Sequence, residues 1–244
     1  MNTYHIYGII HPERAPITFR FNNPLETSIW SIYFSIINNQ LYVELKTEEL
    51  VQDIFTLKNT LKDILQEQIS IIGYIFWYAY DVELIRMVNL ESSNKIDQVF
   101  WIDIPSLNER NKDKIANIWE EVNFIYLVMD KYKENAHFIR NCFSELNKAI
   151  RFPIDTGFHC YRWLESLRHF IWKVLNLKEK SEQWEKLREL SNDKDKEKFN
   201  FIMLFARDAR HWEYMSISSE DREKVFSYTW DMVDKFLESL RNLK

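Results

Sequence analysis

Glycine and proline are scarce in this chain, 3 and 5 among 244 residues. A fold made of many tight β turns draws heavily on both, glycine for positive φ and proline for preset turn geometry, so a turn-rich all-β fold is disfavoured. Three isolated glycines also supply neither a dinucleotide fingerprint nor a phosphate-cradling loop, which removes P-loop nucleotide hydrolysis from consideration. Cysteine is scarcer still. Cys142 and Cys160 occur in helical patterns without CxxC or Cys/His ligand spacing, so both are expected as reduced, buried thiols, with no disulfide framework or zinc site. Long apolar runs are missing too. The most apolar stretch, Ile69 to Tyr80, spans 12 residues and contains Ser70 and Gly73, short of the ~20 residues of a membrane helix. The N-terminus, Met1 to His5, shows no basic segment followed by an apolar one, so a cytoplasmic protein without membrane partners is expected.

An excess of positive charge is also absent, the net charge being -5. Non-specific coating of nucleic acid depends on many Lys and Arg contacts to phosphate, so it is disfavoured, whereas a local basic cleft is not. The acidity is concentrated at one end. Residues 1 to 108 carry 7 basic and 13 acidic side chains, and residues 109 to 244 carry 25 and 24. What the chain has in quantity is core-forming material. Hydrophobic residues make up 46% and aromatics 16% of it, with 9 Trp and 17 Phe, which is outside the profile of a disordered chain. The length fits one or two packed units.

The hydrophobic pattern changes period along the chain. Extended segments are expected at Tyr4 to Ile10, Ile17 to Phe21, Ile29 to Ile37 and Leu41 to Leu45, the last two forming a hairpin around Asn38-Asn39-Gln40. Val51, Ile54, Leu57, Leu61, Leu65, Ile69 and Ile72 then recur at helical spacing, predicting one long helix from about Glu48 to Gly73 that covers one face of the sheet. Two more extended runs, Val82 to Leu90 and Gln98 to Ile104, flank the turn Glu91-Ser92-Ser93-Asn94. The stretch Pro105 to Asn108 reads as a boundary.

From there the pattern is helical: Lys112 to Lys131, Asn135 to Phe152, a helix after Asp155-Thr156-Gly157, Glu182 to Leu190, Phe199 to His211, and a last helix opened by a Ser218/Asp221 capping box. The expected class is therefore α+β: a mostly antiparallel sheet with one long helix over residues 1–108, and an all-α bundle over 109–244. In the third helix of the bundle, Phe158, Tyr161, Leu164, Leu167, Ile171 and Val174 form the apolar stripe. Arg162, Glu165, Arg168 and His169 are left on more polar faces, spaced so that they can meet. Trp163 and Trp212 could stack on bases, but on helices this hydrophobic they are expected in the core.

Motifs that name a chemistry are few. There is no His-Glu-x-x-His, the six histidines are scattered, and no G-x-S-x-G elbow occurs, so neither a metal nor another cofactor is indicated. One constellation remains: Ala206-Arg207-Asp208-Ala209-Arg210-His211-Trp212. At i, i+3 and i+4, Arg207, Arg210 and His211 share a helix face. Histidine can take or give a proton near neutral pH, and the arginine fork matches a phosphate, so the three suit metal-independent phosphodiester cleavage. The same residues would also serve as last-turn cations that favour the helix dipole and pair with Asp208, Glu165 or Glu213.

The segment Phe158-His159-Cys160-Tyr161-Arg162-Trp163-Leu164-Glu165-Ser166-Leu167-Arg168, followed by Arg207-Asp208-Ala209-Arg210-His211 and an amphipathic terminal helix, resembles the HEPN superfamily of helical bundles over about residues 157–240. In that superfamily an Arg, often followed by a polar residue, precedes a His at the end of the penultimate helix. Here three residues separate Arg207 from His211, which is shorter than the superfamily's spacing. The resemblance implies a homodimer that brings both Arg/His sets into one cleft and cuts RNA without metal, as in toxin and antiphage-defence systems. Arg207, Arg210 and His211 would be catalytic, with Glu165, Arg162, Arg168 and Asp208 in support. It equally implies a second outcome, a non-catalytic bundle that assembles with itself or with a partner. The N-terminal half would then be a sensor or partner-binding module.

Overall fold

The computed structural model describes residues 2–20, 24–27, 29–48, 51–89, 95–100, 112–194, 196–210 and 217–242. The chain divides into two compact units, residues 1–103 and 104–244. The boundary expected at 105–108 lies outside the described residues.

The first unit is an antiparallel sheet in the order β2-β4-β5-β1-β6-β7, with β3 paired to β4. Its strands are β1 (Asn2–His11), β2 (Phe19–Arg20), β3 (Leu25–Glu26), β4 (Trp30–Ile37), β5 (Gln40–Thr47), β6 (Asp81–Asn89) and β7 (Ile96–Val99). Alternation sorts the side chains. Tyr4, Ile6 and Ile10, Ile32, Phe34 and Ile36, and Leu41, Val43 and Leu45 are all buried, as a sheet covered on one face requires. The β4–β5 hairpin closes through Asn38 and Asn39, both at positive φ (46° and 66°), with Ile37 opposite Gln40. This two-residue turn matches the strand twist, and asparagine tolerates its left-handed backbone. Gly8 stands at a register shift between β1 and β6, where an added Cβ would lie 2.3 Å from the Glu83 carbonyl oxygen. The backbones approach so closely there that only glycine fits.

One long helix, α1 (Ile54–Phe76), packs its Leu57, Leu61, Leu65, Ile69 and Ile72 face into the same core. It starts six residues later than the apolar pattern predicts. Asp53 is the reason: its side chain accepts from the backbone N–H of Phe55 and Thr56 (3.1 and 3.0 Å) and fixes the N-terminus there. Trp77 ends the helix in the left-handed conformation, with Tyr78 N–H bonded to the Gly73 carbonyl. Strand β2 is shorter than the predicted Ile17 to Phe21, and β3 was not anticipated.

The second unit is helical: α2 (Lys112–Ala116), α3 (Ile118–Lys131), a 3-10 turn (Lys133–Asn135), α4 (Ala136–Arg151), α5 (Thr156–Leu175), α6 (Lys180–Leu190), α7 (Glu197–Arg210) and α8 (Ser219–Asn242). The predicted single helix from Lys112 to Lys131 is broken at Asn117. There the side-chain amide donates to the Asp113 carbonyl (3.1 Å) alongside the backbone N–H, and φ and ψ leave the helical region. Asparagine commonly competes with the helix backbone in this way. Ser218 opens α8 as expected, its hydroxyl accepting from Asp221 N–H (3.0 Å) and donating to the Asp221 carboxylate (2.8 Å).

Helix α5 is the axis of this unit, packed by α4, α6, α7 and α8. That corrects the single apolar stripe predicted for it. Cys160, Trp163, Phe170 and Arg168 are buried along with Tyr161, Leu164, Leu167 and Ile171. A helix surrounded on several sides must bury more than one face.

Candidate functional site

Helix α7 carries the arginines that the sequence singles out, and its course is fixed at both ends. Asp193, almost fully buried, accepts from the backbone N–H of Lys198 (3.2 Å) and Phe199 (3.0 Å), which satisfies donors of the first turn. The Lys198 ammonium pairs with Asp231 of α8. Further along, Ile202 and Ala206 are completely buried. Gly157 of α5 abuts Phe205 so closely that an added Cβ would lie 2.5 Å from the Phe205 Cβ. The backbone of Arg207 and Arg210, with Asp208 between them, forms the last turn of this anchored helix. His211 and Trp212 lie outside the described residues.

The supporting residues separate into two groups. Arg162 meets Glu165 at 3.4 Å on a half-exposed face of α5. Arg168, expected on a polar face, is only 7% exposed. Its guanidinium donates to the Gln183 side-chain carbonyl (2.5 Å) and to the His169 ring, and lies 5.4 Å from the Trp184 ring centroid. The reason is α6, which covers this side of α5 and offers an amide and an indole where solvent was expected. Arg168 Nε has no partner among the described residues. A guanidinium has no lone pair to give, so the His169 nitrogen facing it must accept, which favours the neutral ring. Burial, with Arg168 next in weight, holds the His169 pKa below the ordinary histidine value. Trp163, 1% exposed, is core rather than a stacking platform.

Cys142 and Cys160 are both free and buried. Burial pushes the Cys160 thiol up to about 12 and raises Cys142 well above the usual range. Neither therefore forms the thiolate that a nucleophile needs.

The structure also brings together a pair that the sequence reading missed. His159 Nδ1 lies 2.7 Å from the Glu145 carboxylate, each side chain 13% exposed, and Lys148 Nζ binds the other carboxylate oxygen at 2.8 Å. The His159 ring stands against Phe158 and Phe152, and the Arg151 guanidinium lies over the Phe152 ring. Burial works to raise the Glu145 pKa, but hydrogen bonds from Lys148 and His159 outweigh it and hold the carboxyl below its ordinary value. The signal was present in a form no motif records. Helices α4 and α5 make an antiparallel hairpin about Phe152, so Ala149 meets Thr156 (3.0 Å), Glu145 meets His159, and Cys142 meets the Trp163 carbonyl (3.6 Å). Only a reader who folds the two helices together at Pro153 finds these partners.

In the first unit, histidines pair singly: His5 with the Tyr42 hydroxyl (2.8 Å) and His11 with Glu83 (2.7 Å). Among the described residues no group of three His, Cys, Asp or Glu side chains is placed to hold a metal, and no helix is long and apolar enough to cross a membrane.

No curated protein and no solved structure matches the chain. Family models match both units: residues 4–100 fit the model described as the N-terminal domain of a domain of unknown function, DUF8168, and residues 124–241 fit its C-terminal domain. The sheet unit and the helical bundle are thus, in order, the two domains described as DUF8168.

Proposed function

We propose that the helical unit is a metal-independent ribonuclease of the HEPN type, acting as a homodimer in prokaryotic antiphage defence or a toxin-like stress response. The observation that supports this reading is the position of Arg207 and Arg210 in the last turn of the penultimate described helix, whose core face is locked by Ile202, Ala206 and the Gly157–Phe205 contact. A helix end whose sequence carries two cations three residues apart suits a phosphate whose charge grows during cleavage. His211, next in sequence, would be the acid–base group. Arg168 ties α5 to α6 through Gln183, and Arg162 pairs with Glu165 within α5; both would support the Arg/His set. The N-terminal unit would sense a trigger or bind a partner.

The test is cleavage of total RNA by the full chain and its His211→Ala variant with EDTA present, while light scattering records the mass. Metal-independent cutting by a wild-type dimer, lost in a variant of unchanged melting temperature, is the expected outcome.

A second reading has its own support. Ile118, Trp119, Tyr126 and Leu127 of α3 are each more than half exposed, as are Ile71, Tyr74, Ile75, Phe76 and Trp77 of the first unit. Exposed apolar groups of this size commonly mark interaction surfaces, so a non-catalytic assembly module is the alternative. Association of both proteins without any RNA cutting would favour it.

A further inference from the structure

Large apolar side chains that lie together in water and are held still mark a contact surface. The C-terminal end of α1 meets each condition. Ile71, Tyr74 and Ile75 share a helix face at i, i+3 and i+4. Phe76, Trp77 and Tyr78 continue it around the helix end, and all six are exposed, Tyr74 at 84% and Trp77 at 93%. We infer that this knob is an interface between two copies of the chain, formed isologously so that the α1 end of one copy packs on that of the other. The inference names the occupant of a surface that the assembly reading only marks, and it holds whether or not the helical unit cuts RNA.

The knob is held in place by specific bonds. The backbone N–H groups of Trp77 and Tyr78 both donate to the Gly73 carbonyl, Tyr78 at 3.0 Å. The chain doubles back so closely there that a Cβ at position 73 would lie 2.5 Å from the Tyr78 carbonyl oxygen. Gln66 ties the returning segment to the helix: its amide donates to the Tyr80 carbonyl (2.9 Å) and its side-chain oxygen accepts from Val82 N–H (2.9 Å). The Tyr78 ring leans on Tyr80, which is buried. Association therefore has little left to order, which removes a main cost of binding. Trp77 is the telling residue. Its left-handed backbone (φ 59°) is one that glycine or asparagine adopts at lower cost, and its indole adds almost nothing to the core. Its use is a contact outside this unit.

Charge and area choose the occupant. Between Lys62 and Arg86 there is no Lys or Arg, while Asp63, Glu67, Asp81 and Glu83 are acidic. That disfavours nucleic acid and an anionic lipid surface, both of which are recognised through Lys and Arg. An isologous contact asks for something else. Around a two-fold axis a patch meets itself, so any charge at its centre would face a like charge. Residues 68–80 carry no charged side chain. In α3, by contrast, Glu120 and Glu121 interrupt the exposed apolar residues. At roughly 150–250 Å² per aromatic side chain, the exposed fractions of the six residues leave on the order of 800 Å² in water. A stable dimer buries about 800 Å² on each partner, whereas the largest apolar patch of a typical monomer is about 300–600 Å².

The test is the mass of the full chain by sedimentation equilibrium over a range of concentrations, beside Trp77→Asn and a Tyr74→Ser, Ile75→Ser double variant. Asparagine keeps the left-handed turn. Each variant should raise the dissociation constant at least about 30-fold and halve the mass where the wild type associates, with the melting temperature unchanged. If the helical unit also dimerises, the wild type is a tetramer and the variants are dimers, so the halving still reads this contact. A second measurement uses thiols. Cys142 and Cys160 are buried, so mild oxidation of Tyr74→Cys should join two chains through position 74. Gln52→Cys, exposed before the other end of α1, should not crosslink. A wild type that stays monomeric, variants that keep the wild-type mass, or equal crosslinking at positions 74 and 52 overturns the inference. Binding to phosphatidylcholine vesicles that the same variants lose would overturn it in favour of a lipid surface. No readout depends on cleavage, so failure here leaves the ribonuclease reading untouched.

Discussion

Arg168 and His169 are adjacent in sequence, yet their environments oblige them to share a bond in which only one is charged. Because burial and Arg168 keep the folded-state pKa of His169 below its ordinary value, the unfolded chain takes up this proton first. The associated stability is complete above the unfolded value of about 6.5 and is lost as pH falls through that value and then the folded one. Urea midpoints of the second unit should therefore drop between about pH 7 and pH 5, and His169→Gln should flatten that part of the curve. Asp231 acts lower on the scale. Burial alone would raise its pKa, but hydrogen bonds from Lys198 and Lys235 lower it, so its contribution holds above the ordinary carboxylate range and disappears in stronger acid. Asp231→Asn should lower the urea midpoint at neutral pH and flatten that acidic limb. Asn39 is the corresponding residue of the first unit. Its backbone turns the hairpin, while its buried side chain accepts from Ile17 N–H (2.6 Å) and donates to the Pro12 carbonyl (3.2 Å). Asn39→Gly keeps the turn but orphans the Ile17 N–H, while the Pro12 carbonyl still accepts from Ala15 N–H (3.0 Å), at an expected cost of about 1–3 kcal/mol read by urea unfolding.

Among elements, α5 and α7 cross in close contact at Gly157 and Phe205. An alanine at position 157 would put its Cβ 2.5 Å from the Cβ and 2.8 Å from the carbonyl carbon of Phe205, so a helix must move. Gly157→Ala should cost about 1–3 kcal/mol, and a displaced α7 should weaken any activity that depends on Arg207 by more than the melting temperature suggests. The α4–α5 corner depends on a different device. Arg222 of α8, 3% exposed, donates to Thr156 Oγ1 (3.0 Å) and to the Ile150 carbonyl (2.8 Å), one of the last carbonyls of α4. Arg222→Leu keeps much of the packing on Phe226 but strips these groups of their donor. We expect about 2–4 kcal/mol of destabilisation, seen as a lower urea midpoint at an unchanged m-value. The sequence predicted that helices flank this corner. It could not show that an arginine more than sixty residues away closes it, because that pairing exists only once α8 has packed.

For the whole molecule, the two units have separate cores. One is built from the sheet and α1, and the other from the helices around α5. Each contains enough large buried side chains to fold as a domain. Residues 1–103 and 104–244 expressed apart should each unfold cooperatively, the first with a β-rich and the second with a helical circular dichroism spectrum. A piece without a cooperative transition would show that its core is incomplete alone. If the second unit is the proposed ribonuclease and the first unit regulates it, the isolated helical piece should cut RNA without a trigger.

Local rules account for what could be read from the chain alone. Period-two alternation marked β1, β4, β5 and β6, and the 3.6-residue recurrence from Leu57 to Ile72 marked α1, because each pattern reports which face of one element meets a core. The change of period marked the two domains, and the Ser218/Asp221 spacing marked the start of α8. Where an element stopped was harder, since Asp53 and Asn117 act through single hydrogen bonds that hydrophobic periodicity does not register. Tertiary packing decided the rest. It buried Arg168 beneath α6, set Gly157 against Phe205, and joined Glu145 to His159 across the α4–α5 hairpin. Those pairings depend on which helix faces which. Side chains fourteen or more residues apart meet only when backbone geometry and the exclusion of water from a shared core bring their helices together.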